Sequence, residues 1–251
     1  MTLPGYGTLV LLEIALAVPT FLSLLFVVAP YGRHARQGWG PTLPARAGWI
    51  LMESPASLFF LWVYFLGPRW SEPVPLALLA LWQTHYLYRA FVFPLRMRAT
   101  GRRMPLAIPA MAIGFNVLNA WINARWLSAV GTYPAGWFSD PRFLVGTALF
   151  LLGFAVNVDS DRRLRALRAP GQTGYSIPRG GAFELVSAPN YLGEIVEWTG
   201  WAIASWSPAG LAFALYTFAN LAPRAFSNHR WYRERFPDYP ARRRALIPFL
   251  L

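Results

Sequence analysis

The apolar residues of this chain are gathered into blocks of about twenty, the length a helix needs to cross the roughly 30 Å hydrocarbon core of a bilayer. Hydrophobic residues fill 55% of the 251 positions, and in runs this long they argue against a water-soluble fold. Seven spans can be drawn: Leu9 to Ala29, Gly48 to Leu66, Val74 to Phe93, Pro105 to Trp126, Phe143 to Val156, Phe183 to Trp206 and Ala209 to Leu221. The expected fold is an all-α integral membrane protein of seven transmembrane helices. It forms one domain over 1–251, without an internal repeat or a linker. The first block lacks an Arg-rich leader and a small-residue cleavage pattern, so it reads as a span and not as a removed signal.

All 23 basic residues are arginine, against 11 acidic ones, and the net charge of +12 would suit nucleic acid if the arginines formed a recognition surface. They lie between the apolar blocks instead. Segments 30–47, 94–104, 157–182 and 222–251 hold 3, 4, 5 and 7 arginines, while the alternate connections hold only Arg69, Arg125 and Arg142. By the positive-inside rule the amino terminus is expected outside and the carboxy terminus in the cytoplasm. Topology thus accounts for the basic excess, and no nucleic-acid partner is expected. The two connections long enough for chemistry, 157–182 and the tail from Ala222, share the cytoplasmic side. A soluble ligand is expected there. Arginine-only usage points to an Arg-rich proteome and a bacterial inner membrane.

Several chemistries are poorly supplied. The chain has no cysteine, hence neither disulfides nor thiolate ligands, and His34, His85 and His229 have no metal-site spacing. No metal is expected. A GxGxxG fingerprint after a strand is absent too, so any nicotinamide cofactor must be held without a Rossmann domain.

Polar residues inside spans are costly, at least about 2.5 kcal/mol for an ionisable group at mid-bilayer, and so mark candidate sites. Glu53 lies in the second span, Tyr86 and Arg89 share a face of the third, and Glu194 and Glu197 share a face of the sixth. Asn116, Asn119 and Asn123 form a stripe on the fourth. Interhelical hydrogen bonding alone explains such an Asn stripe well. Buried carboxyls near the cytoplasmic side are harder to explain so.

The segment Asn157 to Arg168 alternates acid and base at helical spacing. It suits an amphipathic juxtamembrane helix on anionic lipid, or equally a site offering carboxylates to hydroxyls and arginines to phosphate. Gly171 to Gly181 is rich in turn residues. Its glycines would let backbone amides approach an anion.

Three stretches, Asn157 to Arg168, Gly174-Tyr175-Ser-Ile-Pro178-Arg-Gly180-Gly181 and Ala188-Pro-Asn190-Tyr-Leu-Gly193-Glu194-Ile-Val-Glu197-Trp198, together resemble the carboxy-terminal region of the steroid 5α-reductase family. The likeness continues through Arg224-Ala-Phe226, His229-Arg-Trp-Tyr232, Phe236-Pro-Asp238-Tyr239-Pro240 and Arg244-Ala-Leu-Ile-Pro248-Phe249. Upstream it is thinner but ordered: Tyr31-Gly32-Arg33-His34, Trp49, Glu53-Ser-Pro55, His85-Tyr86, Arg89-Ala-Phe91 and Gly101-Arg102. Met52 stands where the family's vertebrate steroid enzymes have Gln, which bears on the substrate more than on the reaction.

The resemblance implies that Glu53 and Tyr86 meet a substrate carbonyl. It implies also that Asn157, Asp161, Arg168, Tyr175, Asn190, Glu194, Arg224 and Tyr232 surround NADPH, with Arg102 at a phosphate and Trp49 beside the nicotinamide. The expected reaction is reduction of a C=C bond conjugated to a ketone in a steroid-like lipid enone, Tyr86 polarising the carbonyl and Glu53 orienting it. Membrane lipids are the other partners, and no obligate protein partner is inferred. Competing readings are a sterol reductase acting at another double bond, a membrane lipid or isoprenylcysteine-type methyltransferase using S-adenosylmethionine, and a non-catalytic lipid-binding or transport protein.

Overall fold

The computed structural model describes residues 5–28, 30, 34, 36, 38–97, 101–167 and 174–250. Its frame is helical: α1 (Tyr6–Phe26), α2 (Ala45–Phe65), α3 (Pro73–Leu87) with a π turn (Tyr88–Val92) and a short α4 (Phe93–Arg96), α5 (Ala107–Arg125), α6 (Pro141–Ala166), α7 (Pro189–Ser205) and α8 (Pro208–Arg235). Four helical stretches among the described residues are long and apolar enough to cross a membrane: Tyr6–Phe26, Ala45–Phe65, Ala107–Val130 and Pro141–Ala166. Leu12, Leu22, Phe26, Leu58, Trp62, Leu151 and Leu152 stand on the outer surface, where water would be a poor solvent for them.

The core is aromatic. Trp82, Trp198 and Trp201 meet at its centre, with Phe60 stacked on Trp82 at 4.4 Å and Phe213 tilted against Trp198 at 4.4 Å. Buried indole N–H groups need acceptors. Trp82 donates to the Ala56 carbonyl at 2.7 Å and Trp201 to the Asn123 side chain at 3.0 Å, while Asn123 also bonds Asn119. Asn123 thus ties α5 to α7, with Asn119 one turn before it on the same helix accepting from it.

Helices α6 and α7 are packed backbone to backbone. Gly146 and Gly153 of α6 and Gly193 and Gly200 of α7 repeat at seven residues. A Cβ on Gly153 would fall 2.4 Å from the Glu197 nitrogen, and one on Gly193 would fall 2.6 Å from the Asn157 nitrogen. Only glycine permits this approach, a small-residue seam of the kind membrane helices use.

A short two-stranded sheet interrupts the expected all-α frame. Thr42–Pro44 (β1) and Arg103–Pro105 (β2) form an antiparallel pair, Thr42 opposite Pro105 and Pro44 opposite Arg103. These segments lead into the neighbouring helices α2 and α5 and so run side by side. Arg103 clamps the pair by donating to the Thr42 hydroxyl at 2.7 Å and carbonyl at 2.6 Å. Pro105, lacking an N–H, is tolerated at a strand end, and helix begins only at Ala107.

Two helices outrun their apolar blocks. Helix α6 continues from Val156 to Ala166 because Asp159 pairs with Arg162 at 2.7 Å and Arg163 at 2.6 Å, bonds at i+3 and i+4 that extend a helix through polar sequence. Helix α8 continues past Leu221 to Arg235. The sixth block starts later than its apolar run: Phe183 lies in a 3₁₀ turn (Gly181–Glu184), and α7 opens with Pro189 in its first turn. The carboxy-terminal chain folds back onto this turn through a bridge between Val186 and Arg244 and a bond from Arg243 to the Pro178 carbonyl at 2.8 Å.

Candidate functional site

The site forms where α2, α3, α6 and α7 converge, and Arg89 is its hub. Pro94 has no N–H to give the Ala90 carbonyl, so the ladder is already broken here, and Phe93 bonds back to Tyr88 across a wider π turn. Such turns recur at functional positions because they re-aim a side chain. The turned-in Arg89 guanidinium lies 4.7 Å from the Trp49 ring centre and 4.8 Å from that of Phe93. It donates to Asp161 at 3.1 Å and reaches Glu194 at 3.8 Å. Two buried charges, Arg89 and Asp161, and the partly buried Glu194 are thereby paired, with the guanidinium flanked by aromatic faces.

Asn157 continues the network from α6. Its amide donates to the Asn190 carbonyl at 2.9 Å and to Glu194 at 3.3 Å. The Asn190 side chain in turn meets Asp161. The glycine seam sets these distances by bringing α6 and α7 together. The Asn157 Oδ1 is buried and accepts no hydrogen bond among the described residues.

Tyr86, 3% exposed, sits in the last turn of α3 with Trp82 at 5.0 Å, Trp198 at 5.6 Å and His85 edge-on at 4.9 Å. Glu53 of α2 lies within electrostatic reach of Tyr86, Arg89, Glu194 and His85, and the Asn116 side chain hydrogen-bonds it. Asn116 also donates to the Met52 carbonyl at 2.6 Å, so this amide of the stripe steadies the Glu53 turn. Behind Tyr86, His85 Nδ1 and the Glu197 carboxyl are 2.8 Å apart and sealed from solvent.

The other candidates come from segments outside α2, α3, α6 and α7. Tyr175 packs against Trp231 at 5.1 Å, and the Arg102 guanidinium stands 5.8 Å from the Tyr175 ring, so these two are brought together near the amino-terminal entry to β2. Tyr232 is 2% exposed, stacked on Tyr239 at 5.2 Å and set against Phe236: it is part of the carboxy-terminal aromatic core. Arg224 lies on α8 in electrostatic reach of Tyr216. Arg168 falls outside the described residues.

The glycine loop behaves differently from its expected role. Gly180 and Gly181 have φ of 79° and 55°, and a Cβ on either would strike the Arg163 guanidinium. The anion that the Gly180 N–H approaches is internal, the Glu184 carboxylate at 2.6 Å. That bond, aided by Arg243 and opposed by desolvation, holds the Glu184 carboxyl below its usual pKa.

The fold gathers the sequence candidates Glu53, Tyr86, Asn157, Asp161, Asn190 and Glu194 on neighbouring helices; Arg89 stood out in the sequence as a polar residue inside a span but was given no role, and His85 entered only through the family likeness. The available signal was a charged residue inside an apolar block that the topology count left unassigned.

Comparison with known proteins adds a second line. A family model described as 3-oxo-5-alpha-steroid 4-dehydrogenase matches residues 102–251. The chain is 47% identical over 247 residues to the "3-oxo-5-alpha-steroid 4-dehydrogenase 1" of Bos taurus, covering 96% of this chain and 95% of that protein. It is 44% identical over 243 residues to the "Steroid 5-alpha-reductase DET2" of Gossypium hirsutum, with 94% and 93% covered. Against the Homo sapiens "3-oxo-5-alpha-steroid 4-dehydrogenase 1" the identity is 46% over 222 residues, with 88% and 85% covered.

Proposed function

The chain belongs to the 3-oxo-5-alpha-steroid 4-dehydrogenase family, and from that premise we propose that it is an integral membrane reductase that saturates the C=C bond of a 3-oxo-Δ4 steroid or similar lipid enone, using NADPH. The observation that carries the proposal is the convergence of Tyr86 and Glu53 beside the Arg89–Asp161–Glu194 and Asn157–Asn190 network.

The donor set suits a nicotinamide nucleotide. The buried, unpartnered Oδ1 of Asn157 can accept from a carboxamide N–H, Asp161 and Glu194 can accept from hydroxyls, and Arg102 can meet a phosphate. Trp49 offers a ring face. Arg168, Tyr175, Arg224 and Tyr232 remain proposed neighbours of the cofactor on the family resemblance. Bound NADPH would supply the hydride for the β-carbon of the enone.

The protein's own task is the carbonyl. As negative charge grows on the ketone oxygen, the Tyr86 hydroxyl donates a hydrogen bond to it, and the surrounding indoles exclude water that would otherwise compete. Glu53 orients that phenol or, when protonated, donates beside it. The enolate-like species then takes a proton at the α-carbon. Loss of one such donor costs about 2.7–4 kcal/mol of barrier.

We assign seven spans, with the amino terminus outside and the cofactor side in the cytoplasm of a bacterial inner membrane; the arginine asymmetry and arginine-only composition support this. The test is to incubate the detergent-purified protein with NADPH and testosterone and identify the product by mass spectrometry. A 5α-reduced ketone is expected. NADPH that neither is consumed nor raises the melting temperature rejects the proposal.

A further inference from the structure

Helix α1 turns one narrow stripe inward, Tyr6, Val10, Glu13 and Ala17, and most of its remaining surface faces outward. Glu13 is the anomaly. It is fully buried in a span, and neither carboxyl oxygen has a hydrogen-bond partner among the described residues. An unsatisfied buried carboxyl costs several kcal/mol in such surroundings, so an acidic residue here calls for a partner.

The neighbouring phenols do not provide one. The Tyr6 hydroxyl donates to the Ile122 carbonyl at 2.9 Å, and Tyr216 pairs with Thr20. Glu13 nevertheless lies within electrostatic reach of Tyr216 and of Tyr86, with no hydrogen bond to either. Tyr216 stacks on Phe115, 3.7 Å between ring centres, Phe115 meets Phe213, and Phe213 packs on Trp198 beside Tyr86. A run of aromatic rings thus connects Tyr86 with Tyr216, and Glu13 is in electrostatic reach of both its ends.

We infer that Glu13 is a substrate-recognition residue that hydrogen-bonds a hydroxyl at the end of the enone remote from its ketone, so that the enzyme favours hydroxylated polycyclic enones over those lacking a distal donor. This rests on the enone-reductase reading of Tyr86. Val10 or Ala17, on the same stripe, could not discriminate in this way. A site built to bond a hydroxyl rejects an analogue without it more strongly than an apolar site does, because the analogue leaves the buried polar group unpaired.

The test compares kcat/KM for testosterone with that for its analogue lacking the distal hydroxyl, in wild type, Glu13→Gln and Glu13→Leu, all purified with NADPH present. The wild type is expected to prefer testosterone, Glu13→Gln to keep most of that preference, and Glu13→Leu to lose about tenfold of it, the worth of one buried hydrogen bond. An identical testosterone preference in Glu13→Leu and wild type, or no preference in wild type, overturns the assignment while leaving the reductase reading intact. Turnover of neither steroid by the wild type rejects both.

Discussion

The Arg89 guanidinium donates to the Asp161 carboxylate across 3.1 Å, joining the π turn after α3 to the polar end of α6, with both side chains nearly sealed from solvent. Each charge is tolerable only because the other is there. Replacing Arg89 with Met strands Asp161 and Glu194 and should cost about 3–5 kcal/mol. Thermal denaturation in detergent measures this, and Arg89→Met with Asp161→Asn should be less damaging than the sum of the two single changes.

The glycine seam makes a sharper prediction. Gly153→Ala and Gly193→Ala push a methyl into the facing backbone and should each destabilise by about 1–3 kcal/mol, with loss of NADPH binding as Asn157 and Glu194 move apart. Gly114→Ala on α5, where an added Cβ meets nothing within 4 Å, should instead stabilise, since Ala is favoured over Gly in a helix by about 1 kcal/mol. Equal effects at the three sites would contradict the packing described for α6 and α7.

Acid should loosen the carboxy-terminal fold. Burial first, then Arg233 and Arg244, lowers the His229 pKa from its usual 6.5, so the unfolded chain takes up the proton more readily than the folded one. Stability attributable to His229 is therefore fully present above 6.5 and declines as pH falls through that value toward the lowered one. Glu184, whose pKa is also lowered, adds a second loss at more acid pH, as pH falls from the ordinary carboxyl value through its folded one. Melting temperature against pH checks both. His229→Gln should flatten the first decline and leave the second.

The long helices were legible because an apolar run and a spanning helix are nearly the same object, and Glu53, Tyr86 and Glu194 stood out against that background. What was not legible depends on convergence. Nothing in the order Tyr88-Arg89-Ala90 tells that Pro94 opens a π turn and directs Arg89 at a carboxylate 72 residues later. The end of α8 was read short because hydropathy falls where packing of Tyr232 keeps the helix going, whereas the polar end of α6 showed as helical acid–base spacing from Asn157 onward. The β1–β2 pair escaped because three-residue strands carry no periodicity and form only once α2 and α5 are neighbours. Gly180 signalled an anion correctly in kind, but the anion is Glu184 of the same loop.

The most direct test of the central claim is the Tyr86→Phe variant, assayed for steroid product and separately for NADPH affinity. The account predicts that kcat falls by about 10²–10³, the usual effect of losing one donor to a developing oxyanion, while the dissociation constant for NADPH stays near that of the wild type. A variant that reduces testosterone at the wild-type rate would contradict it and remove Tyr86 from the chemistry.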